Sequence, residues 1–157
     1  MQIIKATTEH DKELHRIHTA AVHASCKSFY TEGQLKGWLT GRSPEGYHSG
    51  IKNDEMYIAV DKGEIVGFGH AIPGEVVAIF VDPTFHGKGV GRRLLEHGLK
   101  IASKNHAKIK VDATINAEGF YKKHGFVKVG DGAHTRNGVE IPVVVMEYLN
   151  TPANSGI

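Results

Sequence analysis

Three glycines at alternate positions mark the stretch of this chain best suited to hold an anion. Gly87, Gly89 and Gly91 lie in "HGKGVGRRLL", directly before a pattern that predicts an amphipathic helix. Glycine permits a sharp turn that exposes consecutive backbone N–H groups, and the helix adds free N–H groups and the positive end of its dipole. The stretch therefore predicts a phosphate-binding loop, with Lys88 and Arg92 as neighbouring cations. The alternative is a turn that only reverses the chain.

The spacing of these glycines argues against the two commonest nucleotide-binding loops. A Walker loop needs a Gly-Lys pair followed by Ser or Thr, whereas Gly89 follows the pair Gly87-Lys88 here. A Rossmann fingerprint reads G-x-G-x-x-G after an early strand, whereas this chain reads G-x-G-x-G in its middle. A generic nucleotide-binding domain is therefore disfavoured.

A strand, a helix and a second strand must position this loop. The apolar run "EVVAIFV" at 75–81 is typical of a central strand, and Pro83 stops it. Residues 90–104 carry apolar side chains at helical spacing, and "AKIKVDAT" at 107–114 alternates between apolar and polar residues. This order predicts a βαβ unit that contains one parallel strand pair.

The remaining segments predict an α/β fold of mixed type. Residues 8–26 have helical periodicity, and "RSPEGYHSG" is typical of a loop because Pro and Gly interrupt it. We expect one domain over residues 1–149 and a flexible tail over residues 150–157. Further strands are predicted in "QIIKA", "EMYIAVD", "EIVGFGHAI", "FVKVGD" and "VEIPVVVMEYL", and further helices in "TEGQLKGWLT", capped by Thr31, and in "AEGFYKKH".

A second motif, "NAEGFYKKHGF" at residues 116–126, follows the βαβ unit. The two motifs together resemble the GNAT superfamily of N-acetyltransferases. The acetyl-CoA loop of that family has the form Q/R-x-x-G-x-G/A, and a later helix carries an N-A-x-x-F-Y-x-x-x-G-F type of sequence. The resemblance covers nearly the whole chain and implies a mixed, mostly antiparallel sheet that is splayed at a parallel strand pair and flanked by helices. The matching residues are Gly89, Gly91, Asn116, Phe120, Tyr121, Gly125 and Phe126.

The same resemblance implies a binding site for acetyl-CoA as cosubstrate. Backbone N–H groups of residues 87–92 would hold the pyrophosphate, and peptide groups near Phe80 and Val81 would pair with the pantetheine arm. The first loop position is usually Gln or Arg and is His86 here, whose neutral ring still offers one N–H donor. The cofactor-binding residues so implied are Phe80, Val81, His86, Gly87, Lys88, Gly89, Val90, Gly91, Arg92 and Asn116.

Acetyl transfer to an amine requires two proton transfers. An ammonium must lose its proton before it attacks, and the departing CoA thiolate must gain one. Tyr121 occupies the position of the family's general acid, the alternative being a core aromatic. Glu75 opens the central strand, where family members often carry a catalytic Glu, the alternative being a solvated charge. His70 and His134 are further candidates for the base, because histidine titrates near neutrality.

The acceptor pocket of this family usually lies near the first two helices, and three aromatic residues cluster there. Phe29, Tyr30 and Trp38 are candidates for its wall, although aromatic residues at such spacing are more often core. Cys26 is the only cysteine, which excludes an intrachain disulfide. The chain contains 11 histidines, but no acidic or cysteine ligand completes a set, so no metal is expected.

The charge balance bears on the choice of partner. Nineteen Lys and Arg oppose 17 Asp and Glu, a net charge of +2, so we expect neither nucleic acid nor membrane as a partner. The N-terminus lacks the apolar core of a signal peptide, and we expect a cytoplasmic protein. The predicted activity is acetyl transfer from acetyl-CoA to a primary amine of a small molecule or peptide, by direct attack in a ternary complex. A non-catalytic CoA-binding sensor is the alternative, and a homodimer stays open.

Overall fold

A seven-stranded sheet forms the centre of the molecule in a computed structural model, which describes residues 1–149. All neighbouring strands are antiparallel except the parallel pair β4–β5. The predicted mixed, mostly antiparallel sheet is confirmed, whereas the predicted tail at 150–157 lies outside the described residues. The strands are β1 (Gln2–Lys5), β2 (Met56–Asp61), β3 (Glu64–Ile72), β4 (Glu75–Val81), β5 (Lys108–Ala113), β6 (Val127–Arg136) and β7 (Val139–Leu149), in the order β1-β2-β3-β4-β5-β7-β6.

Five α-helices flank the sheet in the described part of the chain: α1 (Asp11–Ala21), α2 (Glu32–Leu39), α3 (His48–Lys52), α4 (Val90–Ala102) and α5 (Glu118–Lys123). The prediction of a loop in "RSPEGYHSG" was wrong, because a 3₁₀ turn (Pro44–Tyr47) and the start of α3 lie there. Pro44 occupies the first turn, where the missing N–H costs no hydrogen bond. Ile51 is buried and holds α3 against the core.

Alternation along the strands separates the two faces of the sheet. Tyr57 and Ala59 of β2 pack with Leu94 of α4, whereas Ile58 packs on the opposite face with Ile17 of α1. The alternation predicted for β5 is confirmed, because its apolar face is buried in a core cluster with Leu95 of α4 and Tyr121 of α5. The buried residues of that face are Ile109, Val111 and Ala113.

Strands β4 and β5 separate soon after they meet. Their only registered pair is Glu75 with Lys110, although β4 continues to Val81 and β5 to Ala113. A bulge at Val77, where the register with β3 shifts, adds to the distortion of β4. A wedge therefore opens between the two strands towards their carboxyl ends, as the resemblance to the family implied.

The hairpin of β6 and β7 reaches back to α2. Strand β6 extends to Arg136, further than predicted, and the turn consists of Asn137 and Gly138, both with left-handed φ angles. The Asn137 side-chain amide donates hydrogen bonds to the carbonyls of Gly37 (2.7 Å) and Thr40 (2.9 Å). The tip of the hairpin is thereby fixed to the end of α2. No helix within residues 1–149 is long and apolar enough to cross a membrane.

Candidate active site

Two clefts meet at the wedge between β4 and β5. The first, which we call the loop groove, has a volume of about 1050 Å³ and runs from the glycine loop to α5. The second, which we call the aromatic pocket, has a volume of about 470 Å³ and is bounded by α1, the segment after α2 and the β6–β7 hairpin. The two clefts adjoin, and we call them together the passage, because they share five lining residues: Ile79, Phe80, Thr114, Ala117 and Tyr121.

The glycine loop has the conformation that an anion site requires. Gly87 and Gly89 have φ angles of 77° and 81°, in the left-handed region that side chains disfavour, and Gly89 directly precedes α4. The free N–H groups of the first turn of α4 therefore face the loop groove. The Lys88 side chain does not line the groove, and its Nζ lies 5.0 Å from the centre of the Phe85 ring. The predicted residues that do line it are Phe80, Val81, His86, Gly87, Gly89, Val90, Gly91, Arg92 and Asn116.

Asn116 is oriented by a thiol on the far side of the groove. The Cys26 Sγ donates to the Asn116 Oδ1 at 3.2 Å, which leaves the amide N–H donors of Asn116 for another partner. Burial raises the pKa of the Cys26 thiol to about 11, so the thiol keeps its proton at neutral pH.

Tyr121 stands where the two clefts join. Its ring packs edge-on against Phe120 and Phe126, with ring centres 5.2 and 5.3 Å apart. Only 4% of the residue is exposed, and burial raises the pKa of its hydroxyl, which therefore stays protonated at neutral pH. Within residues 1–149, no side chain forms a hydrogen bond with this hydroxyl. The hydroxyl is therefore available as a donor.

Only one of the three aromatic residues predicted for the acceptor wall lines a cleft. Trp38 borders the aromatic pocket. The Tyr30 hydroxyl donates to the carbonyl of Pro142 (2.7 Å) and accepts from the N–H of Ile115 (3.0 Å), so it joins two segments of the core. Phe29 is 52% exposed and lies outside both clefts.

The candidate bases are widely separated. Glu75 lies at the closed end of the wedge, about 16 Å along β4 from Phe80, and lines neither cleft. His70 lines the aromatic pocket, with its Nε2 2.8 Å from Glu55. His134 also lines the pocket, and its Nε2 lies 2.8 Å from an Asp112 carboxylate oxygen.

His18 forms the inner end of a chain of hydrogen bonds at the pocket. Its ring stacks on Phe80 at 4.0 Å between ring centres, and its Nδ1 lies 2.9 Å from the Tyr47 hydroxyl. Arg42 donates to the same hydroxyl. The buried Nε2 of the same ring has no hydrogen-bond partner among residues 1–149. Burial, reinforced by the charges of Arg42 and Arg136, lowers the pKa of His18 to about 2.

The low pKa of His18 predicts a specific loss of stability in acid. Below about pH 6.5 the unfolded chain binds a proton here that the native state does not, which costs roughly 1.4 kcal/mol per pH unit until about pH 2. We therefore expect the variant His18→Gln to lose about 3 kcal/mol less unfolding free energy than the wild type between pH 7.5 and pH 4.5. Urea unfolding at the two pH values measures this, and parallel pH dependence of both proteins would contradict it.

Several residues of the site escaped the sequence analysis. Asp112 lies on the polar face of β5. The alternating pattern of that strand marks it as polar but not as functional, and its partner His134 is distant in sequence. Arg42 and Arg136 lie in segments that looked like ordinary turns. Within residues 1–149, no group of three or more His, Cys, Asp or Glu side chains is close enough to hold a metal ion.

The splayed sheet, the left-handed glycine loop before α4 and the tyrosine at the junction define the class of acetyltransferases that the motifs suggested. The family profile of the acetyltransferase (GNAT) domain matches residues 7–149, and the chain belongs to this family. A relative is the peptidyl-lysine N-acetyltransferase YjaB of Salmonella typhimurium, which is 34% identical over 94 residues. That match covers 59% of this chain and 64% of the length of YjaB.

Solved structures share the fold over almost the whole chain. A GCN5-related N-acetyltransferase from Rhodopseudomonas palustris superposes with a TM-score of 0.81, at 22% identity and 94% coverage of both chains. The PaiA N-acetyltransferase from Thermoplasma acidophilum, solved in complex with coenzyme A, gives a TM-score of 0.76 at 20% identity, covering 94% of this chain and 98% of that one.

Proposed function

We propose that this protein transfers the acetyl group of acetyl-CoA to a primary amine by direct attack within a ternary complex. The observation that carries this proposal is the position of Tyr121. Its buried, protonated hydroxyl lies where a groove suited to an anionic cofactor meets a separate pocket suited to an acceptor. A ternary complex requires this arrangement, because both substrates must reach one point at the same time.

The loop groove supplies the groups that acetyl-CoA would need. The N–H groups of residues 87–92 would hold the pyrophosphate, with the Arg92 side chain beside them. Unpaired peptide groups near Phe80 and Val81 would bind the pantetheine amides, and the Asn116 amide would donate from the opposite side. The family and the coenzyme A bound to the Thermoplasma protein support this choice of cosubstrate.

Each proton has a route in this arrangement. His134, oriented by the Asp112 carboxylate at its Nε2, would accept the ammonium proton on its Nδ1. The free amine then forms a bond to the acetyl carbon, and the carbon–sulfur bond breaks. The Tyr121 hydroxyl protonates the thiolate, and the nitrogen of the new amide releases its surplus proton to solvent. Tyr121 regains its proton from solvent through the open groove.

A binding test followed by a turnover test examines the proposal. Calorimetry with acetyl-CoA, CoA and ATP should show binding of the first two only, and absence of CoA binding would refute the proposal. Thiol release from acetyl-CoA is then measured with amines and with lysine peptides, since YjaB is named for peptidyl-lysine. A non-catalytic CoA sensor would bind CoA but release no thiol with any acceptor.

Three substitutions test His134 against Glu75 as the general base. We expect His134→Gln to lower kcat/KM by about 10²-fold at pH 7 and Asp112→Asn by a smaller factor, because the carboxylate only orients the ring. Glu75→Gln, the matched control, should change it less than twofold because of its distance from the passage. Measurement from pH 6 to pH 10 should show the deficit of His134→Gln shrinking as the free amine becomes abundant. A large loss in Glu75→Gln alone would restore Glu75 as the base.

A further inference from the structure

The aromatic pocket has an excess of positive charge. The permanently charged side chains that line it are Arg42, Arg136 and Asp112. Asp112 already has His134 at 2.8 Å and the Lys110 ammonium at 3.3 Å, the latter without hydrogen-bond geometry. Neither arginine has a carboxylate within 4.0 Å among residues 1–149. Two guanidinium groups thus line the pocket without a carboxylate at salt-bridge distance from either.

Contacts within the fold hold both arginines at this pocket. Arg42 follows α2, and its guanidinium donates to Thr19 (3.2 Å) and to the Tyr47 hydroxyl. Arg136 ends β6 directly before Asn137, whose amide fixes the hairpin tip to the end of α2. That clamp places the two guanidinium groups around one pocket although 94 positions separate them in sequence. Both charges also lower the pKa of His18, which lines the same pocket.

The chemistry of the pocket favours one class of acceptor. Two arginines repel a simple alkyl ammonium, and their forked N–H groups match the two oxygens of a carboxylate. The other walls are aromatic, from Trp38, Phe68 and Phe80, and the volume of about 470 Å³ suits a small molecule.

We propose that the acceptor is a small amine that also carries a carboxylate, which Arg42 and Arg136 bind while the amine faces Asp112 and His134. This inference rests on the proposed function, since it assigns the acceptor of the same reaction. It distinguishes this protein from a relative named for peptidyl-lysine, whose acceptor is a cationic side chain on a chain of peptide bonds.

The test compares ligands that differ only in the carboxylate. We choose N-acetylated products, because a free amino acid and its amide differ in the pKa of the amine. The ligands are N-acetylphenylalanine, N-acetylleucine and N-acetylglutamine, each compared with its α-carboxamide. Calorimetry of each with the CoA-bound protein should show at least one acid binding about 10-fold or more tightly than its amide. Thiol release from acetyl-CoA with the parent amino acid should exceed that with a lysine peptide.

Variants assign the preference to the arginines. Arg42→Gln and Arg136→Gln should each remove most of the difference between acid and amide, and Arg136 is exposed enough for its replacement to leave the fold intact. Arg42→Lys should retain part of the difference, because the charge stays and the fork is lost. Lys36→Gln is the matched control, since it removes an exposed positive charge from α2 outside both clefts and should keep the full preference.

The outcomes separate this inference from the proposed function. CoA binding with equal affinity for acids and amides, or with lysine peptides as the better acceptors, would overturn the acceptor class and leave the acetyltransferase proposal standing. An acid preference that survives both arginine substitutions would also overturn it. Failure of the wild-type protein to bind CoA would refute the proposed function, and the acceptor assignment with it.

Discussion

The variant Tyr121→Phe is expected to lower kcat by about 10²-fold or more while changing the Kd for CoA less than twofold. The substitution removes only the hydroxyl that would protonate the leaving thiolate. It keeps the ring, which packs edge-on against Phe120 and Phe126 at the junction of the two clefts. Steady-state thiol release at saturating acetyl-CoA measures kcat, and calorimetry measures Kd.

Tyr148→Phe is the matched control for this prediction. Tyr148 contacts Phe126 but lines neither cleft, so loss of its hydroxyl should leave kcat within twofold of the wild type. A Tyr121→Phe protein with normal kcat and weakened CoA binding would show that the hydroxyl binds the cosubstrate and protonates nothing.

The variant Gly98→Ala is expected to lower the unfolding free energy by about 2 kcal/mol, or the Tm by roughly 4–8 °C. Tyr57 is 1% exposed and crosses from β2 to α4, where its hydroxyl donates to the Leu94 carbonyl at 3.0 Å. A Cβ on Gly98 would overlap that hydroxyl, and one on Gly69 would overlap both the ring and the hydroxyl. This clash outweighs the gain of about 1 kcal/mol that alanine brings to a helix.

Two further variants isolate the cause of this loss. Gly119→Ala lies in α5 with no neighbouring atom within 4 Å of the new Cβ, so it should be neutral or stabilising. Combining Gly98→Ala with Tyr57→Phe removes the overlapping oxygen, and the pair should cost less than the sum of the two single variants. Additive costs in thermal or urea unfolding would show that the close approach is not the cause.

The sequence predicted most of the sheet because its signals are local. Alternation along β5 and the capping of α2 by Thr31 depend on neighbours within a few positions, and both are present in the structure. Helix α3 was missed because Pro44 and Gly46 outweighed any periodicity. Burial of Ile51 by distant residues stabilises that segment, and a local pattern contains no record of it.

The candidate site was predictable where a motif is contiguous and unpredictable where contacts are distant. The glycine loop and Tyr121 each lie in one stretch, and the structure places both at the passage. Asp112 and His134 are in contact although 22 positions separate them in sequence. Arg42 and Arg136 line the same pocket because the turn at Asn137 is fixed to the end of α2. Glu75 is a candidate base because it begins the central strand. In the structure the start of that strand is the closed end of the wedge, where β4 pairs with β5.

The separation of β4 from β5 has a consequence for how this family can diverge. Beyond Glu75 and Lys110 the facing edges of both strands offer peptide groups, which every amino acid carries. Mutation can replace the side chains of Ile79 or Val81 without deleting a single one of these donors and acceptors. A ligand that forms hydrogen bonds with these peptide groups is recognised by the backbone conformation, which the side chains do not determine directly. Substitutions can therefore accumulate around the passage and alter the acceptor while the cosubstrate is retained.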